Sequence, residues 1–153
     1  HLRADEIDDL EATIAAGTGV DLAGDTYEMV ELGDESFGVV LVDDNPDVVR
    51  FDDGEAFLTV QGANRHEPTT GIVTVDAGAI SFVSDGADVM RPGIVEADAE
   101  IGAGDLVTVA EETHGKTLAI GRALVDGPEM AGESGKVVES VHHVGDDLFQ
   151  FSV

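Results

Sequence analysis

Arg91 and Arg122 are the side chains of this sequence best suited to gripping a phosphate, because a guanidinium offers two oxygens a fixed fork of donors. Cations are scarce, with seven Lys and Arg against 33 Asp and Glu in 153 residues, so each one stands out. Arg91 is followed by Pro92 and Gly93. The proline fixes its own backbone angle and lacks a donor, so a tight loop with exposed backbone amides is expected there. Arg122 follows Gly121 inside an apolar run. A glycine there marks a bulge, or a place where another backbone or a ligand comes close. The competing reading pairs Arg122 with neighbouring carboxylates on a crowded acidic surface, and the loop gives Arg91 the better case for a phosphate.

Other chemistry is poorly supported. His142 and His143, with Asp146 and Asp147, combine metal-ligand types, but adjacent strand residues point to opposite faces, and no zinc spacing is present. Asp43-Asp44 and Asp52-Asp53 read as solvated turn residues, not as an acid/base pair. The chain has no cysteine, which removes thiol nucleophiles, thiolate zinc sites and disulfides. Phosphate-loop, nucleophile-elbow and His-Glu-x-x-His patterns are missing. No catalytic residue, cofactor or metal is expected.

The elements that must position Arg91 and Arg122 follow from pattern. Residues 70–75 read as a strand rich in β-branched residues. Asp76 is placed to cap a short helix, Ile80 and Val83 share one face of it with Phe82 beside them, and Gly86 ends it. Val89 and Met90 resume an extended run up to Pro92-Gly93. Gly104-Asp105 introduces a strand over 106–110, and His114-Gly115-Lys116 turns it into a second over 117–125. Residues 137–143 and 148–153 read as two further strands joined across Gly145-Asp-Asp, with Phe149 on the last. Upstream, Ile7, Leu10 and Ile14 form one helical stripe, stopped by Gly17 and Gly19. Strands are expected at 27–32, 37–42, 48–51 and 56–60, the last two joined by an Asp53-Gly54 hairpin turn, with 64–68 as a connection.

Four segments, Gly86-Ala-Asp-Val-Met-Arg-Pro-Gly93, Gly104-Asp-Leu-Val107, Ala119-Ile-Gly-Arg-Ala-Leu124 and Val141-His-His-Val-Gly-Asp-Asp-Leu148, follow one another at orderly distances. Together they resemble a PUA domain, the small RNA-binding pseudobarrel named after pseudouridine synthases and archaeosine transglycosylases. In that family the helix, its glycine loop and the next strand form much of the RNA-facing surface. The resemblance therefore nominates Gly86, Ala87, Asp88, Met90, Arg91, Pro92 and Gly93, to which the strand reading adds Gly121 and Arg122.

A compact α+β module ahead of such a domain resembles the translation-associated family that includes the malignant T-cell amplified sequence protein and its archaeal counterparts, most closely over residues 75–94. The resemblance implies an α+β fold, with a pre-PUA module over residues 1–71 and a PUA pseudobarrel over 72–153. It also implies a non-enzymatic protein that contacts tRNA or ribosomal RNA at the small ribosomal subunit, in initiation, reinitiation or recycling, beside a partner with an initiator-factor-like domain. Fold alone does not settle activity. The alternatives are an accessory RNA-grip subunit for a modification enzyme, and a protein-interaction module that has lost RNA binding.

Net charge is −26, the opposite of the basic face that phosphate binding normally needs. Molar salt resolves the conflict, because the Debye length there is only about 3 Å. Lysine depletion and small side chains fit the cytoplasm of an extreme halophile. Binding in such salt must rest on shape and direct contacts, which favours structured RNA. With no tryptophan, one tyrosine and phenylalanines mostly in core-like patterns, no stacking platform is expected. No apolar run approaches a membrane span of about 18 residues, and no signal peptide is visible. Because the chain starts at His1 without a methionine, residues are expected ahead of it.

Overall fold

In the computed structural model, which describes residues 1–32 and 37–151, helix α1 (Ala4–Thr18) opens the chain. Asp5 and Glu6 occupy its first turn, where carboxylates oppose the positive end of the helix dipole. Leu10 and Ile14 are buried, as their spacing predicts. The helix runs through Gly17 and ends at Gly19, φ +74°, so the expectation that Gly17 helps stop it is corrected. Gly17 packs closely against the sheet, since a Cβ there would lie 3.0 Å from the Phe57 ring.

Strands β1 (Tyr27–Glu31), β2 (Phe37–Val42), β3 (Asn45–Phe51) and β4 (Ala56–Leu58) form an antiparallel sheet in chain order. The Tyr27 hydroxyl ties the sheet to α1 by donating to Glu11 at 2.6 Å. Burial, then that carboxylate, pushes its pKa up to about 12. Alternation along β2 divides two cores: Val40 and Val42 pack with Leu10 and Ile14, whereas Val39 and Leu41 pack with Leu106, Ile120 and Leu148 from the second half of the chain. The sheet is thus covered on both faces. The Asp53-Gly54 turn forms as expected, with Gly54 at φ +90°.

The strand expected over 56–60 stops at Leu58, and residues 64–68 are not simply a connection. Thr59 accepts the Gly62 amide at 2.9 Å and caps helix α2 (Val60–His66) in the manner of a side-chain N-cap. Helix α2 lies so close to β3 that a Cβ on Gly62 would stand 2.1 Å from the Asp47 carbonyl oxygen. Gly62→Ala is therefore expected to cost roughly 3 kcal/mol through overpacking against backbone. Urea unfolding checks this, and an unchanged midpoint would refute the packing argument.

The second half comprises β5 (Ile72–Val75), α3 (Ile80–Ser84), β6 (Val89–Met90), β7 (Ile94–Ala97), β8 (Leu106–Glu111), β9 (Thr117–Ala123), β10 (Lys136–His143) and α4 (Asp147–Gln150). Its six strands are ordered β6-β10-β9-β8-β5-β7, antiparallel except for β5 with β8. The near-closed sheet wraps a core containing Val73, Val75, Val107, Val109, Met130 and Val137, with Val83 of α3 plugged into it. The predicted α+β class and the pseudobarrel are both present. The strand expected over 148–153 is corrected to a helix through Gln150, with 152–153 outside the described residues. Asp146 starts that helix by accepting the Phe149 amide at 2.8 Å.

Candidate nucleic-acid interface

Asp76 accepts the Ala79 amide at 3.1 Å and opens the short helical segment that ends in α3. Val83 turns inward and Phe82 is left 67% exposed. Gly86, at φ +95°, closes the helix. That left-handed conformation favours glycine, and a Cβ there would also crowd the His143 ring, at 2.8 Å from Nε2. The next residues pair with β10 as β6, and a 3-10 turn over Arg91–Gly93 reverses the chain.

These pieces enclose a groove of about 390 Å³, mostly apolar, whose lining includes Phe82, Ala87, Asp88, Met90, Pro92 and Gly93. Met90 is 48% exposed. Five of the nine residues nominated from sequence, Ala87, Asp88, Met90, Pro92 and Gly93, line this one surface, and Gly86 adjoins it. Asp88 accepts the Ser140 amide at 2.8 Å and pairs with Lys136 Nζ at 3.4 Å. Lys136 does not itself line the groove, but this pair holds its ammonium beside a residue that does.

The other three nominated residues lie elsewhere. Arg91 is half-buried and its guanidinium does not line the groove. Nε donates to the Glu129 carbonyl at 3.1 Å and Nη1 to the Ser134 carbonyl at 2.9 Å, tying down the loop ahead of β10. Gly121 is buried because β10 comes close, and a Cβ would meet Val138 at 2.4 Å. Arg122 holds Glu55 with both fork nitrogens, at 2.7 and 3.1 Å, and the Gly104 carbonyl at 2.8 Å. Hydrogen bonding to Glu55 raises its pKa further. The geometry favours the ion-pair reading. Arg122→Ala is expected to cost about 1 kcal/mol, as a partly exposed pair does, and to leave RNA affinity unchanged. Parallel unfolding and RNA titrations check both halves, and a lost RNA affinity would return Arg122 to the interface.

Sequence reasoning missed Phe82 and His142. The spacing of Ile80 and Val83 held the signal for Phe82, since a helix that turns both towards the core leaves Ser81 and Phe82 facing outward. Nothing local pointed to the role of His142. Its ring is buried, accepts the Val60 amide at Nε2 (2.9 Å), and donates from Nδ1 to Asp146 (2.9 Å). Only the neutral ring with its proton on Nδ1 satisfies both partners. Asn64 adds two bonds to the Thr117 backbone, 3.1 and 2.8 Å. Helix α2 is thereby sewn to the pseudobarrel, and the groove is carried on one continuous framework. Among the described residues no group of three or more His, Cys, Asp or Glu is arranged to hold a metal ion, and no helix is long and apolar enough to cross a membrane.

Residues 71–145 match the family model described as PUA domain. The chain is 40% identical over 118 residues to an uncharacterized protein of Methanocaldococcus jannaschii, MJ1432, covering 76% of this chain and 72% of that one. It is 38% identical over 88 residues to translation machinery-associated protein 20 of Saccharomyces cerevisiae, covering 53% of this chain and 49% of the yeast protein. In three dimensions it is similar to a hypothetical protein of Pyrococcus horikoshii, with a TM-score of 0.85 and 33% identity over 97% of this chain and 96% of that one. A conserved PUA domain protein from Thermoplasma acidophilum gives a TM-score of 0.83 and 29% identity over 97% and 95%. With the pseudobarrel, its preceding α+β module and these relatives in agreement, the chain belongs to the archaeal PUA-domain family of RNA-binding proteins that includes MJ1432 and is related to translation machinery-associated protein 20.

Proposed function

We propose that this protein is a non-enzymatic RNA-binding protein of the translation apparatus that holds structured RNA, either tRNA or small-subunit ribosomal RNA, against the groove of Phe82, Met90 and Pro92. The observation that carries the reading is a largely apolar, solvent-open groove on the helix, glycine loop and strand nominated from the PUA resemblance. An exposed phenylalanine and methionine can receive base or ribose faces, and Lys136 can meet a phosphate beside them. The interface is then richer in stacking surface than the sequence alone led one to expect. The name of the yeast relative supports the translation setting.

Within this reading the PUA unit, residues 72–153, grips RNA and the α+β unit, residues 1–71, assists docking beside an initiator-factor-like partner in initiation or recycling. The cytoplasm of a halophile suits the charge of −26, since contacts at van der Waals range survive where long-range repulsion is screened. Binding of the purified protein to tRNA and to small ribosomal subunits in about 2 to 3 M potassium chloride tests the proposal. Saturable binding to small subunits supports a translation role. A preference for free tRNA together with co-purification of a modification enzyme favours the accessory-grip alternative. Absence of binding to either RNA points to a protein-interaction module.

A further inference from the structure

We propose that a second cleft, between the C-terminal end of α2 and the β8–β9 hairpin, binds a small phosphate monoester. The cleft has a volume of about 420 Å³, and its lining includes Pro68, Ile72, Thr108, Ala110, His114 and Lys116. That volume falls within the roughly 300–1,000 Å³ range of small-molecule sites. It shares no lining residue with the groove of Phe82 and Met90.

Three observations converge on this cleft. Thr108 is 1% exposed, yet its hydroxyl has no hydrogen-bond partner. Strand alternation sends its neighbours Val107 and Val109 into the pseudobarrel core, so Thr108 faces the other way, into the cleft. A buried hydroxyl without a partner is costly and asks for a polar ligand. Lys116 supplies the second observation. Arg3, Arg50, Arg65, Arg122 and Lys136 all have a carboxylate within 4.0 Å, and Arg91 bonds two carbonyls, whereas the Lys116 ammonium has no such pairing among the described residues. The third is how the hairpin is held. The Glu111 carboxylate accepts the backbone amides of His114 and Lys116. The His114 amide is the chief reason that this carboxyl lies below its ordinary pKa. The tip is thus fixed with His114 and Lys116 at the cleft.

The chemistry of the lining narrows the ligand. Lys116 can donate to phosphate oxygens, Thr108 to a further oxygen of the ligand, and Pro68, Ile72 and Ala110 can cover a neutral body. Glu67 also lines the cleft and disfavours a ligand charged along its length. One anionic end on an uncharged body, as in a nucleoside monophosphate, satisfies all of these groups. The phosphate could come from a free nucleotide or from the 5′ end of an RNA.

The test titrates adenosine monophosphate, inorganic phosphate and adenosine into the intact protein, read by amide chemical shifts. Saturation by the monophosphate with Kd of about 1 mM or tighter is expected, with shifts at 108 and 114–117 and none from adenosine. Thr108→Val and Lys116→Gln should each weaken it about tenfold, the worth of a hydrogen bond to a charged group. Thr108→Val replaces the orphan hydroxyl by a methyl group and should be no less stable than the parent, so lost binding cannot be ascribed to unfolding. A 5′-phosphorylated short RNA that binds more tightly than the monophosphate and its 5′-hydroxyl twin identifies an RNA end as the source; equal affinity for oligonucleotide and monophosphate identifies the free nucleotide. Failure of both phosphate compounds to saturate, or saturation indifferent to both substitutions, overturns the proposal. Because the readout uses mononucleotides, it stands or falls separately from binding at the Phe82 groove.

Discussion

Replacing His142 with leucine is expected to lower the free energy of unfolding by about 3 to 5 kcal/mol, the scale seen when one member of a buried polar network is removed. Leucine fills a similar space but leaves the Val60 amide at the start of α2 without an acceptor and Asp146 without its ring donor. The loss is cooperative because Asp146 also holds the His143 and Phe149 amides, at 2.9 and 2.8 Å. Urea unfolding in concentrated potassium chloride measures it, and a loss below about 1 kcal/mol would contradict the role assigned to the ring.

The same network predicts a pH dependence. Burial alone would push the Asp146 carboxyl up, but the His142 ring and the two amides outweigh it, and its pKa lies below the ordinary value. A carboxylate depressed in the folded state stabilises the fold above its unfolded pKa, about 3.9, and that stability is lost as pH falls through the lower folded value. His142→Leu removes one of the depressing donors, so less stability should be lost as pH falls from the unfolded to the folded pKa of Asp146, and the acid limb of the stability curve should be shallower than in the parent. An unchanged acid limb would show that the ring does little for Asp146.

Phe82→Ala combined with Met90→Ala should weaken RNA binding by roughly ten- to a hundredfold, since stacking of a base on an exposed side chain is worth about 1–3 kcal/mol. Stability should hardly change, because Phe82 is 67% and Met90 48% exposed, and exposed substitutions usually stay within about 0.5 kcal/mol. This separation of binding from folding distinguishes the groove from the arginines. Arg91→Ala should do the reverse, loosening the loop around Ser134 that its guanidinium holds.

The sequence was legible where local signals and tertiary packing agree. The apolar stripe of α1, the Asp53-Gly54 turn, the Asp76 cap, the Gly86 stop and the β8–β9 hairpin each have a local physical cause that also suits the assembled fold. Helix α2 was hidden because Phe57, Leu58 and Val60 read as one apolar strand, while the deciding event is the Thr59 cap and the closeness of Gly62 to Asp47. Helix α4 was hidden likewise, since Leu148, Phe149 and Phe151 read as strand, although Asp146 caps a turn of helix.

At the candidate interface, loop chemistry pointed to a stretch of backbone that borders an open groove, but not to the direction of its side chains. Arg91 stood out by charge and turned toward carbonyls 38 and 43 residues away. Phe82 was absorbed into a generalisation that holds for the other five phenylalanines, all packed in the cluster between the two halves. Long-range pairings such as Arg122 with Glu55 and Val60 with His142 have no local trace at all.

The most direct measurement is a map of backbone amide shifts in the isotope-labelled protein as structured RNA, either tRNA or a small-subunit rRNA fragment, is added in concentrated potassium chloride. The perturbed residues are expected to cluster at 79–93 and around Lys136, and Phe82→Ala with Met90→Ala should abolish the pattern. A map with no perturbation at 79–93, or one untouched by that double substitution, would rule out the Phe82 groove as the RNA interface.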